Sequence, residues 1–139
     1  MRGGQEDGMA AVLAAVLAAV LTVCGAQCPT PADLKPANGT RLCAQLYTED
    51  SVYYERCCAG SSLAVPPGAD VPYMPTGWAG EVSSLVVGTR CELTVWSRAG
   101  KEGNKKSFSA GAFPRLQEVR RGLFRDWNDA IRSYYCKCN

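Results

Sequence analysis

WNDAIRSYYC, residues 127–136, repeats the pattern of WAGEVSSLVV, residues 78–87, at an offset of 49. In each stretch a Trp is followed four residues later by a β-branched residue, Val82 or Ile131. Two positions further comes a Ser, Ser84 or Ser133, and then a run suited to a strand. Working outward, each stretch has an alternating run upstream. LCAQLY, residues 42–47, sets Leu42, Ala44 and Leu46 on one face, and CELTVW, residues 91–96, does the same with Cys91, Leu93 and Val95. Alternation at period two is the signature of a half-buried strand. The aromatics that end these runs, Tyr47 and Trp96, are again 49 apart. Both halves then pass through a Gly-rich or polar hairpin region and a Gly-Ala step, Gly68-Ala69 and Gly111-Ala112, here at an offset of 43. An insertion in the second half, within QEVRRGLFR (residues 117–125), compensated by a deletion, accounts for the changing offset.

The sequence therefore predicts a duplicated unit of roughly four short strands. Pro66, Pro67, Pro72 and Pro75 exclude a helix from the first copy and suit strand edges and loops. A unit this small cannot bury a sheet face alone, whereas two copies packed face to face can. Motif one is expected over about 42–88 and motif two over about 89–139, together one domain at 42–139. Residues 27–41, rich in Pro, Ala and polar side chains, read as an irregular arm. Asn38-Gly39-Thr40 within it is a glycosylation sequon, with Asn38 as the candidate acceptor; a plain surface turn is the alternative reading.

Ahead of the arm, AAVLAAVLAAVLTV (residues 10–23) is uncharged, and shorter than the roughly 20 apolar residues a membrane span needs. Small residues follow at Cys24 and Ala26. The pattern is that of a secretory signal peptide over 1–26, cleaved after Ala26. Glu6 and Asp7 offset Arg2 in the leading region, so Met9 is an alternative start to Met1. The run has no polar face, which does not fit a core helix of a soluble domain. Secretion implies an oxidising compartment.

Of the eight cysteines, Cys24 leaves with the signal, and seven remain: Cys28, Cys43, Cys57, Cys58, Cys91, Cys136 and Cys138. Three disulfides and one leftover thiol is the simplest outcome, and the leftover could link chains. Roughly a hundred connectivities stay open. Cys136 and Cys138 share a strand face and should take different partners. Cys57 and Cys58 are adjacent, so mutual pairing would be strained. Cys28 is expected to staple the arm to the body. No CxxC pair and no His support a zinc site.

The absence of His also removes the commonest general acid or base. No Ser stands in a nucleophile elbow, and no Gly-rich phosphate loop joins a strand to a helix. The expectation is a non-enzymatic protein with no cofactor and no catalytic or metal residues.

The second copy, CELTVWSRAGKEGNKKSFSAGAFPRL followed by DWNDAIRSYYCKC, resembles a βγ-crystallin Greek-key motif. The residues that carry the resemblance are Trp96, Gly103, Phe108, Gly111, Phe113, Pro114, Asn128, Asp129, Ile131 and Ser133. The first copy keeps Tyr47, Gly60, Gly68, Val82 and Ser84. The resemblance implies an all-β fold, two Greek-key motifs of βγ-crystallin type packed as a small disulfide-stapled sandwich. Many motifs of that family hold Ca²⁺ through paired Asn/Asp and Ser/Thr oxygens. Here Arg132 takes a Ser/Thr position in copy two, and Ala79 and Gly80 replace the acidic pair in copy one. Weak or absent Ca²⁺ binding is expected, since a hard cation needs several oxygens at once. Asn128 and Ser133 are instead expected to satisfy loop backbone groups, with Trp78 and Trp127 in core or corner positions.

Over essentially the whole mature chain the strings YYERCC, SSLVV, RCELTVWSRAGK, FSAG and YYCKC are similar to a family of small secretory-granule proteins of the exocrine pancreas. That resemblance implies the secretory pathway, the zymogen-granule lumen and release on exocytosis. It implies a peripheral protein on the luminal side of the granule membrane that self-associates as a homo-oligomer and disturbs or porates membrane. It also implies a part in granule maturation and regulated exocytosis.

Charge is distributed unevenly. Residues 27–88 hold three Lys/Arg against six Asp/Glu, and residues 89–139 hold eleven against five. Much of the basic excess lies in RAGKEGNKK and RLQEVRRGLFR. Lys105, Lys106, Arg120, Arg121 and Arg125, with Leu123 and Phe124 beside them, are the candidates for contact with membrane lipid or another anionic partner. Granule membrane proteins, glycans and the acidic half of a second copy are further candidate partners; solvated loops are the plain alternative. Nucleic acid is not expected of a secreted protein. A lectin-like or antibacterial module that binds bacterial envelopes is the alternative function.

Overall fold

The computed structural model describes residues 28–34, 41–49 and 58–139. The apolar run at 10–23, the cleavage point, the Asn38 sequon and Cys57 lie outside the described residues. Eight strands are described: β1 (Ala44–Glu49), β2 (Ala59–Val65), β3 (Asp70–Val71), β4 (Ser84–Arg98), β5 (Glu102–Phe113), β6 (Arg120–Gly122), β7 (Arg125–Asp126) and β8 (Ser133–Cys138). Single 3-10 turns occur at Pro31–Asp33 and Leu116–Glu118.

All pairings are antiparallel, and their register shows how the two copies interlock. The first part of β4 (Leu85, Val86, Val87) lies between β1 and the end of β5, with Leu85 opposite Leu46 and Phe113. Its second part, from Glu92 to Trp96, lies between β8 and the start of β5. The break in register falls between Val87 and Glu92. Two four-stranded layers result. One runs β2–β1–β4–β5 (residues 111–113), the other β5 (residues 102–109)–β4–β8–β3. Each copy thus lends its third short strand to the other copy's layer: Asp70 and Val71 of copy one pair with Tyr135 and Tyr134 of copy two. This is the Greek-key exchange of βγ-crystallin packing, and the all-β expectation is met. The sequence reading of separate short strands missed that the last strand of copy one and the first of copy two run on as one 15-residue strand.

The core lies between the layers. Leu46, Val65, Val82, Leu85, Val87, Leu93, Val95, Leu116 and Ile131 are fully buried, with Trp127 and Phe108 nearly so. Ala44 and Leu46 on β1 and Cys91, Leu93 and Val95 on β4 point inward as the alternation predicts, whereas Leu42, expected on the same face, is half-buried and packs beside Tyr47 and Val86 in a second cluster. Trp127 is a core residue, whereas Trp78 is half-buried and packs against the core edge.

Hydrogen bonds repeat with the two offsets read from the sequence. Ser84 Oγ donates to Glu49 O at 2.8 Å and accepts from Cys58 N at 3.0 Å. Ser133 Oγ donates to Arg98 O at 2.8 Å and accepts from Lys101 N at 3.1 Å. Cys58 and Lys101 share φ values of 58°, in the left-handed region. Gly60 and Gly103 follow at φ of 80° and 82°; a Cβ on Gly60 would lie 2.4 Å from Thr48 Oγ1, and one on Gly103 2.4 Å from Ser97 Oγ. Only glycine suits both demands at once.

Three disulfides fasten the frame: Cys28–Cys58, Cys43–Cys136 and Cys91–Cys138. Cys136 and Cys138 take different partners, and Cys28 ties the arm to the body, as expected. Among the described residues no cysteine is free.

Candidate functional site

The insertion in copy two is a small structure of its own. Its ends are anchored in the core by Leu116 and Trp127, both essentially buried. Trp127 N donates to Val119 O at 3.0 Å, closing the base. Between them β6 and β7 pair, with Arg120 opposite Asp126 and Gly122 opposite Arg125, leaving Leu123 and Phe124 as the turn. The strand segments RRG and RD are too short to show a period in the sequence.

At the tip, Leu123 is 79 % exposed and Phe124 90 %. Phe124 has φ of 73°. A bulky residue in the left-handed region is uncommon, and such strain gathers where a side chain has a task. Arg120 and Arg125 are exposed beside the tip. A shallow groove next to them is lined by Gln117, Glu118, Arg120, Phe124, Arg125 and Asp126.

Arg121 is half-buried and structurally engaged. Its Nε donates to Asp126 O at 2.9 Å, and its Nη1 to Asn104 Oδ1 at 3.2 Å. The second bond joins the hairpin to the start of β5, where Lys105 and Lys106 are exposed. Two basic segments that are separate in sequence therefore meet. Lys105 Nζ and Lys101 Nζ each lie 5.9 Å from the centre of the Trp96 ring, a cation–π arrangement. Lys101 also bonds Asp70, at 2.9 and 3.1 Å to its two carboxylate oxygens, across the exchanged strand β3.

The loops that correspond to the calcium-binding positions of βγ-crystallins are unequal. Gly80 N donates to Ile131 O and Asp129 N to Val82 O, both at 3.0 Å, so the backbone frame is symmetric. The side chains are not. Ser83 Oγ donates to Asp129 Oδ1 at 3.2 Å in one half. In the other, the Arg132 guanidinium lies over Gly80, with Nη2 3.1 Å from where a Cβ would stand. A guanidinium stands on the side where oxygens are needed, and the donor set does not suit a hard divalent cation. Asn128 corrects the sequence expectation. Its side-chain oxygen is buried without a partner among the described residues, and it is Asp126 Oδ1 that accepts from Asn128 N, at 2.8 Å. Ser133 does cap backbone groups, as expected.

Cys43, Cys91 and Cys138 sulfurs lie within 4.8 Å of one another. Each is already in a disulfide, and a disulfide sulfur is not the thiolate that a metal takes. The shifted titrations belong to the core: burial pushes the Tyr47 and Tyr134 phenols up from 10.0. Among the described residues no helix is long and apolar enough to cross a membrane.

Comparison with known proteins bears on both resemblances. The syncollin family matches residues 27–138. The chain is 56 % identical over 112 residues to human syncollin, covering 81 % of this chain and 84 % of the human protein. It is 54 % identical over 111 residues to syncollin of Rattus norvegicus, covering 80 % and 83 %. Among solved structures it resembles one described under the evolution of the eye-lens βγ-crystallin domain fold, with a TM-score of 0.56, 20 % identity, and coverage of 81 % of this chain and 93 % of that one. A βγ-crystallin domain from Flavobacterium johnsoniae gives a TM-score of 0.53 at 16 % identity, covering 70 % and 96 %. These structural likenesses establish the fold.

Proposed function

The chain belongs to the syncollin family of non-enzymatic secretory-granule proteins, and from that premise we propose that it acts at the luminal face of the granule membrane through the β6–β7 tip. In this reading the signal is removed after Ala26, and the start of the family match at residue 27 supports that boundary. The mature protein self-associates, binds lipid peripherally, perturbs or porates the bilayer, and supports granule maturation and regulated exocytosis.

The observation that carries the reading is a strained, highly exposed Leu123-Phe124 turn flanked by Arg120 and Arg125 and held from behind by Arg121. Apolar side chains at the end of a basic hairpin suit the boundary between headgroups and acyl chains. Burying Leu123 and Phe124 is worth about 1.5–3 kcal/mol each, and a basic side chain near an anionic surface about 1 kcal/mol. Ordering and orientation consume several kcal/mol of that sum, so one tip binds weakly. Several tips on one oligomer bind together with far greater avidity, which gives self-association a role in membrane contact. Calcium has no part in this contact, since Arg132 occupies half of the calcium frame.

A second reading, a glycan-binding module, is favoured by Trp96 with Lys101 and Lys105 at its ring. An aromatic face beside two ammonium groups suits an anionic sugar. The test that separates the two is flotation of the oxidised mature protein with anionic, cholesterol-containing liposomes, scored with dye leakage. Leu123→Ser with Phe124→Ser abolishes flotation on the membrane reading and leaves binding to isolated wall glycan unchanged. Flotation that survives the double substitution refutes the tip, and retention on glycan without any flotation moves the function to Trp96.

A further inference from the structure

The two disulfides at the C-terminal end of the sandwich are neighbours by register. Cys91 stands opposite Cys138 across β4 and β8, and Leu93 opposite Cys136. Cys43, at the entry to β1, bridges to Cys136. Hence three sulfurs from two bridges fall within 4.8 Å. They differ in access. Cys43 and Cys136 are fully buried, Cys91 is 5 % exposed, and Cys28 and Cys58 are 8 % and 9 % exposed. Cys138 alone of the six described cysteines is half-buried. A cleft reaches this bridge at its Cys91 end, lined also by Arg90, Glu92, Lys137 and Asn139, so access at Cys138 rests on its own partial exposure.

Arg41 completes the site. Its Nη2 lies 3.3 Å from Cys91 Sγ and 3.4 Å from Asn139 O, and its buried Nε has no hydrogen-bond partner among the described residues. A guanidinium against a sulfur does little for a neutral disulfide. It does a great deal for a thiolate, which it stabilises as a leaving group.

We propose that Cys91–Cys138 is a thiol-exchange site, entered by a small thiolate at Cys138 and primed by Arg41 at Cys91. The thiolate sulfur attacks Cys138 Sγ. A new S–S bond forms between the two, the Cys91–Cys138 bond breaks, and its electron pair leaves on Cys91 Sγ beside Arg41. Oxidation state is conserved, because one disulfide is exchanged for another. If the leaving sulfur takes up a proton, Thr89 O at 3.4 Å accepts its S–H. As a thiolate it attacks Cys43 Sγ in turn. A Cys43–Cys91 bond then forms, and Cys136 leaves as the new thiolate. Cys28–Cys58, in a separate buried cluster with Leu34, Tyr47 and Val86, has no part in this relay.

The experiment uses the oxidised mature protein and reduced glutathione, with acid quenching, alkylation and peptide mass spectrometry over time. The first adduct is expected on Cys138, with Cys91 the first thiol alkylated. This bridge should open about tenfold faster than Cys28–Cys58, and a Cys43–Cys91 link should follow. Arg41→Met should slow the opening about fivefold while leaving Cys28–Cys58 unchanged, and Arg41→Lys should restore most of the rate. A first adduct at any other cysteine of the wild-type protein overturns the proposal, whether or not the variants fold. Equal opening rates in folded wild-type and Arg41→Met protein overturn the role of Arg41.

Discussion

Replacing Ser133 with Ala removes one oxygen and leaves two backbone groups without a partner. Ser133 is 0 % exposed. Its hydroxyl donates to Arg98 O at 2.8 Å and accepts from Lys101 N at 3.1 Å, bracing the turn between β4 and β5 from inside the sandwich. A buried donor or acceptor left unmade costs about 1–3 kcal/mol. Arg98 and Lys101 are themselves exposed, so water recovers part of the loss. The expected destabilisation is ~2–4 kcal/mol, or ~8–16 °C in Tm for a domain of this size. Ser84→Ala removes the equivalent pair of bonds to Glu49 O and Cys58 N. It should therefore fall within ~1 kcal/mol of Ser133→Ala. Ser109→Ala, at an exposed position of β5, is the control and should stay within about 0.5 kcal/mol of wild type. The assay is thermal and urea unfolding under non-reducing conditions, followed by circular dichroism. If Ser133→Ala matches the Ser109→Ala control, the hydroxyl does not brace the turn and the argument fails.

Gly103→Ala should cost about 1–3 kcal/mol, because φ of 82° is strained for Ala and its Cβ would displace Ser97 Oγ from its 2.8 Å bond to Asn104 N; a neutral urea midpoint would count against it. Tyr47 and Tyr134 hold their protons more tightly folded than unfolded. Their contribution is whole below the unfolded value of 10.0 and is lost as pH climbs from there through the higher folded values, so stability should fall in alkali. Tyr47→Phe with Tyr134→Phe should flatten that fall, and an unaltered slope would assign it elsewhere. Leu123→Ser and Phe124→Ser should leave Tm within about 2 °C of wild type, since neither side chain is in the core. Cysteine parity gives the last test. Three bridges use six of the seven cysteines left after cleavage at Ala26, so Cys57 should give one titratable thiol per chain or one bridge per pair of chains. Neither result on a non-reducing gel with thiol titration would place the cleavage elsewhere.

The repeat was legible because it is written in residues with a backbone task. An offset of 49 pairs Tyr47 with Trp96 and Ser84 with Ser133, and an offset of 43 pairs Gly68 with Gly111. The same 43 also pairs Cys58 with Lys101 and Gly60 with Gly103, residues matched by left-handed backbone. Cys58 and Lys101 have no side-chain chemistry in common, so composition hid their equivalence. Disulfide partners were illegible for another reason. Cys43 and Cys136 are 93 residues apart, and only the exchange of third strands between layers brings them together. The Arg121–Asn104 bond, which unites the two basic segments, depends in the same way on where the insertion folds back.

What distinguishes this chain lies where the two copies disagree. The scaffold bonds come in pairs, Ser84 with Ser133 and Gly80 N with Asp129 N. A feature present twice answers to the fold, since each copy needs it to close its own turn. A feature present once has no such obligation. Among the described residues the hairpin with Leu123 and Phe124 occurs only in copy two. Arg132 over Gly80 replaces in one half what Ser83 and Asp129 offer in the other. Arg41 beside Cys91 has as its counterpart 49 residues on Arg90, which lies in the wall of the cleft at that same bridge rather than against a sulfur of its own copy. Local rules are broken at such places, as Phe124 breaks its own at φ of 73°, and a fold that keeps them has a use for the breach. The tip, the guanidinium in the calcium frame and the primed disulfide are therefore the positions at which to test function, and the paired serines and glycines those at which to test stability.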